Sequence, residues 1–156
     1  MDLSAFYQLV ATTSFTLVGL WWVIVQQRPA WKSDPVRRRL AAGTYVSFLL
    51  PGLMATLAQL SPETPLLWRI SFGACAVLGL VSTARLLAVE RGQTVGPFRR
   101  FRWLAVVVYL AILVLGVAPE LARGLGWTPL IVGGILLVLL VALAHGLTWD
   151  LSLIHI

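Results

Sequence analysis

"LIVGGILLVLLVALAHGLTW", residues 130–149, runs for 20 residues without a formal charge. Coiled as an α-helix, a stretch of about that length rises roughly 30 Å, the thickness of a bilayer's hydrocarbon core. Similar runs recur along the 156-residue chain, which is 59% hydrophobic and only 12% charged. Soluble domains carry roughly 25% charged residues. A water-soluble globule this small exposes too much of its surface to hide such a composition. An all-α membrane protein is therefore expected.

The net charge is +6, which in a soluble protein would suggest nucleic acid. Here the cations cluster beside the apolar runs, as they do at the ends of membrane spans. The expected partners are therefore membrane lipids, with no nucleic acid. Cys75 is the only cysteine; it sits inside an apolar run and reads as a small packing residue. The first residues, "MDLSAFYQLV", place an acid where a secretory signal would carry basic residues, so the first span is expected to stay.

Prolines divide the chain. Asp34-Pro35, Thr64-Pro65, Gly96-Pro97 and Thr128-Pro129 each resemble a helix start. Proline suits the first helical position because that N–H has no intrahelical partner, and the Asp and Thr side chains can accept from first-turn N–H groups. Pro29, Pro62 and Pro119 follow apolar runs, where helices are expected to have stopped. The result is five transmembrane helices in one bundle over 1–150, at about 5–27, 35–60, 65–90, 97–118 and 129–149. This is one N-terminal helix plus two antiparallel hairpins. The tail, 151–156, reads as a short cytoplasmic segment or as non-native sequence, since "LSLIHI" resembles adapter read-through; no functional weight falls on His155.

Orientation follows from the loops. Arg28, Lys32, Arg37, Arg38, Arg39, Arg91, Arg99, Arg100 and Arg102 lie on one side, with Arg69 and Arg123 on the other. By the positive-inside rule the N-terminus is out and the C-terminus in. Trp68 and Trp127 fall at the outer interface and Trp31, Trp103 and Trp149 at the inner one, where amphipathic rings settle. The composition suits a bacterial inner membrane. Spans 2–3 can be laid over spans 4–5 as a parallel repeat of the transporter kind. Most of the identities are Gly, Ala, Val or Leu, which any two apolar segments share.

Three small or hydroxylic stripes stand out. Span 1 carries Gln8, Thr12 and Thr16; span 2 carries Thr44, Ser47 and Pro51; span 3 carries Ser71, Cys75 and Thr83, with Ser82 adjacent. This spacing lets helices approach and hydrogen-bond across a contact. A packing seam among spans 1 to 3 is expected, with a polar path as the rival reading, and spans 4 and 5 are expected to face lipid or self-associate. Pro51 frees the Ser47 carbonyl and predicts a kink near 47–51, eased by Gly52.

Arg85 is the one cation inside an apolar run, a position that marks a functional candidate by default. It also lies close enough to the inner end to snorkel. With Glu90, His145 and Asp150 it forms a candidate cytoplasmic-rim cluster. Glu120 and Arg123 read as an i, i+3 surface pair. Six acids, two histidines and one cysteine form no carboxylate pair or metal-ligand cluster, and no nucleotide loop or nucleophile motif occurs. No cofactor and no catalysis are expected. The leading expectation is a small non-catalytic membrane protein acting through helix–helix contacts with itself, as a homo-oligomer, or with a membrane partner. A channel or transporter, and a lipid-headgroup enzyme at the cytoplasmic rim, are the alternatives.

Overall fold

A computed structural model of the chain describes residues 2–60, 64–89, 102–124 and 126–153, which form helices joined by short connections. The helices are α1 (Leu3–Gln26), α2 (Pro29–Ser33), α3 (Pro35–Ala58), α4 (Pro65–Val89), α5 (Arg102–Val117), α6 (Glu120–Gly124) and α7 (Pro129–Leu153). Proline opens α3, α4 and α7, as the sequence predicts. The expected start at Pro97 lies outside the described residues, as do Pro62, Arg91, Arg99 and Arg100.

Capping sets the ends. Asp2 accepts from the N–H groups of Ser4 and Ala5 at 3.0 and 3.3 Å, which moves the start of α1 ahead of the expected residue 5. Asp34 accepts from Val36 N–H at 2.8 Å and pairs with Arg37 at 3.2 Å. Thr128 Oγ1 accepts from Ile131 N–H at 3.3 Å. Thr64 departs from the expected cap: its hydroxyl donates back to the Leu60 carbonyl at 3.3 Å. The short helices α2 and α6 were not expected; each begins at or just after a proline, Pro29 and Pro119, read as a stop.

Four helices, α1, α3, α4 and α7, are long and apolar enough to cross a membrane. The described part of α5 has 16 residues, about 24 Å of helix. Large apolar side chains such as Leu9, Leu20, Ile70, Leu78, Leu110 and Leu139 stand exposed around the bundle. Water does not tolerate so extensive an apolar exterior on a monomer, and lipid does. The protein is an apolar helical bundle of the membrane type.

The central helix is α3, packed against α1, α4 and α7; α4 also packs closely on α5, and α7 bridges α5 and α3 while touching α1. Half of the α3 span is buried, against 22% of α1. Tyr7, Met54, Phe72, Ile112 and Leu137, one from each long element, meet in the core at 2% exposure or less. Spans 4 and 5, expected to face lipid or to self-associate, each expose one apolar face, with Leu110, Val114, Ile135 and Leu139 on it, and bury the other. Tyr109, Ile112 and Leu115 of α5 are buried, as are Leu137, Leu140, Ala144 and Leu147 of α7. Glycine allows the approach. A Cβ on Gly116 would stand 3.2 Å from the Arg69 carbonyl and 3.6 Å from Gly73 N, so the two backbones nearly touch.

Polar contacts fasten both ends. At the end of the bundle that holds the start of α1, the Tyr7 hydroxyl donates to the Leu130 carbonyl at 2.6 Å. Arg69 Nε and Nη2 donate to the Gly116 and Val117 carbonyls at 2.9 and 3.0 Å, closing the C-terminus of α5 with a cation where the helix dipole is negative. Charged hydrogen bonds of this kind contribute about 1.5–3 kcal/mol. Arg69→Gln is accordingly expected to lower stability by about 2 kcal/mol and to speed amide exchange in the last turn of α5; unchanged exchange there would show the cap to be idle. At the opposite end Trp21 Nε1 donates to the Ala41 carbonyl at 3.0 Å, and its ring lies 5.5 Å from that of Trp31. Arg28 sits over Trp31 at 5.5 Å, a cation–π contact that holds α2 beneath α1 and α3.

The Pro51 region runs as continuous helix from Pro35 to Ala58. The hydroxyls of Thr44 and Ser47 do not turn to the carbonyl that Pro51 frees. They donate one turn earlier, to the Leu40 and Gly43 carbonyls at 3.1 and 2.9 Å. Gly52 serves close packing: a Cβ there would stand 3.1 Å from Ser14 Cβ of α1.

Candidate functional site

Helical rotation decides which of the three stripes can meet. On α1, Tyr7, Val10, Ala11, Ser14 and Trp21 form the buried face. Gln8, Thr12 and Thr16 lie on the opposite, exposed side, with Gly19 open beyond them. They do not join the span 2 and span 3 stripes. Thr16 Oγ1 donates to the Thr12 backbone carbonyl at 2.8 Å, and the side chains of Gln8 and Thr12 make no hydrogen bond among the described residues.

The other two stripes point inward. Thr44, Pro51 and Ala55 of α3 are buried, with Ser47 half-buried. Ser71, Cys75, Gly79 and Thr83 of α4 are buried as well, with Ser82 half-buried. Ser71 Oγ donates to the Trp68 carbonyl at 2.9 Å. Gly79 meets not α1 but the Tyr109 ring of α5. The seam thus runs through α3, α4 and α5, with α1 joining it from the side through Ser14.

Ser14 was not singled out by its neighbours in sequence. It is fully buried, and its hydroxyl has no hydrogen-bond partner among the described residues. A buried unpaired hydroxyl costs about 1–3 kcal/mol, so Ser14→Ala is expected to leave the thermal midpoint unchanged or raise it. A fall of several degrees would mean that the hydroxyl is bonded in the membrane.

The rim cluster is not gathered at one place among the described residues. Arg85 and His145 are both exposed, on α4 and α7, helices whose main neighbours are α3 and α5 rather than each other. Glu90 and the Asp150 side chain lie outside the described residues. Glu120 and Arg123 pair at 2.7 Å in exposed positions, as their spacing predicts. No group of three or more His, Cys, Asp or Glu placed to hold a metal occurs among the described residues.

The sequence reading did not anticipate the burial of two further residues. Arg102, counted in the sequence as a loop cation, is 6% exposed, and Tyr109 is 2% exposed. With Ser47, Thr83 and several leucines they line a cleft between α3, α4, α5 and α7. The signal was available in "RFRWLAVVVYL": the arginine stands one residue before the tryptophan that opens the apolar run, and the tyrosine two turns later shares its face.

The fold and its apolar exterior define a helical membrane protein. Comparison with protein-family models, with curated proteins and with solved structures finds no match to this chain.

Proposed function

We propose that the protein is a small, non-catalytic integral membrane protein that acts through helix contacts made by the outer face of α1. In this reading the chain crosses a bacterial inner membrane five times, with its N-terminus outside. The supporting observation is the exposure of Gln8, Thr12 and Thr16 on a helix whose span is only 22% buried. A carboxamide facing lipid lacks the partner that a neighbouring helix supplies. Interhelical hydrogen bonds in lipid contribute about 0.6–2 kcal/mol each, and small residues at Thr12, Thr16 and Gly19 allow the close approach that such bonds need.

The test is the state of the purified protein in lipid nanodiscs and vesicles, read by cross-linking and by energy transfer between labelled copies. Self-association, or a stoichiometric membrane partner, is expected for the wild type. Gln8→Leu combined with Thr12→Leu is expected to weaken it at least fivefold while the helical content stays the same. A strictly monomeric protein that co-purifies with nothing would overturn the proposal. The channel reading finds less support, because Gln8, Thr12 and Thr16 face away from Ser47 and Thr83.

A further inference from the structure

Arg85 is a charge set into an apolar run, and it does not turn into the protein. It is exposed on α4, one turn before Val89, and makes no ion pair or hydrogen bond among the described residues.

Helical rotation decides which groove it borders. Leu86 fills the contact between α4 and α3, where a Cβ on Gly43 would overlap its side chain. On α4, Thr83 lies to one side of Leu86, buried and lining the internal cleft, while Arg85 lies to the other side, exposed. On α3, Thr44 is buried to one side of Gly43 and Ala42 is exposed to the other. The two inward flanks look into the bundle, so the two outward flanks share one lipid-facing groove. Arg39, four residues before Gly43, stands at the head of that groove, exposed and again without a partner among the described residues. Between the levels of the two arginines α3 presents only the methyl of Ala42.

A guanidinium keeps its proton at any accessible pH, and hydrocarbon offers it no acceptor. Two of them along one groove call for an anion with several oxygens. The described carboxylates are engaged elsewhere: Asp2 caps α1, Asp34 pairs with Arg37 and Glu120 with Arg123. A second copy of the described helices therefore brings no free acid. The bilayer brings one in the phosphate of a lipid head group, within reach of an arginine stem one turn from a helix end. Deeper in the membrane the groove continues into exposed apolar side chains, Leu53 of α3 and Leu78 of α4, a surface for an acyl chain.

We propose that Arg39 and Arg85 hold the phosphate of one acidic phospholipid in the outward groove between α3 and α4, with a chain of that lipid along Leu53 and Leu78. An acidic lipid fits better than a zwitterionic one, because a choline or ethanolamine group would set a third cation beside these two. Arg38 stands outside the site: it shares a face of α3 with Tyr45, whose ring meets Trp22 of α1 at 6.4 Å. The site rests on the membrane insertion of α3 and α4 and not on the contacts proposed for α1, so either reading can fail without the other.

The test is the association of spin-labelled phosphatidylglycerol and phosphatidylcholine with the protein in phosphatidylcholine nanodiscs, one copy per disc, read as the motionally restricted fraction of each label. One arginine near a membrane surface changes acidic-lipid affinity about fivefold, so the wild type is expected to prefer phosphatidylglycerol by about tenfold or more. Arg39→Gln and Arg85→Gln should each cut that preference about fivefold, and Arg38→Gln by less than about twofold, with helical content unchanged. Equal association of the two lipids, or a preference that appears only in discs holding two copies, would overturn the proposal. So would a loss in Arg38→Gln as large as that in Arg85→Gln, which would mark a diffuse attraction to the basic helix ends. Arg39→Gln carries the test alone should Arg85→Gln fail to fold.

Discussion

Gly79→Ala is expected to destabilise the bundle by about 2 kcal/mol, an overpacking cost, even though alanine is the better helix former. A Cβ at this position would overlap the Tyr109 ring, standing 2.6 Å from Cδ1 and closer still to Cε1 and Cζ. That ring is 2% exposed and has little room to retreat. The α4–α5 contact must open or the ring must leave its rotamer. Intrinsic propensity acts in the other direction, favouring alanine over glycine by about 1 kcal/mol in a helix interior. Gly19 isolates that effect, because a Cβ there meets nothing within 4 Å. Gly19→Ala is therefore expected to raise the thermal midpoint while Gly79→Ala lowers it. Pairing Gly79→Ala with Tyr109→Leu, which removes the ring, is expected to recover most of the loss. If the double variant were no better than the single one, the clash would not be the cause.

Trp21→Ala is expected to cost more, about 3 kcal/mol, the low end for removing a large buried side chain. The low end applies because lipid is as apolar as the core, so lost packing rather than lost water-avoidance dominates. Trp21 is 3% exposed and packs with Trp31, Ala41 and Leu147. Its removal leaves a cavity, an unsupported Trp31 ring and one fewer donor at the Ala41 carbonyl. Because Trp31 belongs to α2, proteolysis between residues 27 and 35 should rise in parallel with the stability loss. Trp21→Phe keeps most of the packing and gives up the hydrogen bond, so about 1 kcal/mol is expected for it. Equal losses for the two variants would place the energy in the hydrogen bond instead of the ring.

Helix starts were legible because proline and its capping neighbours act locally: Pro35, Pro65 and Pro129 open helices where the sequence places them. The buried face of α1 was not. In water a polar stripe marks the exposed side and apolar residues mark the core. In lipid both sides can be apolar, and Gln8, Thr12 and Thr16 look like a seam even though Tyr7, Val10 and Ser14 form it. The buried faces of spans 4 and 5 stayed hidden for the same reason, since leucine and valine read alike against a helix or an acyl chain. Tyr109 shows what does carry information: a large polar-tipped ring opposite a glycine on another helix. That pairing is visible only once the partner helix is known. Arg102 was counted for topology, which hid its place inside the bundle.

The hydrogen bond from Tyr7 to the Leu130 carbonyl joins residues 123 positions apart. A ribosome adding about 5–20 residues per second needs roughly 6–25 s between making its two halves. Throughout that interval the Tyr7 hydroxyl waits for its acceptor, so α7 closes against α1 only after the helices between them have been made.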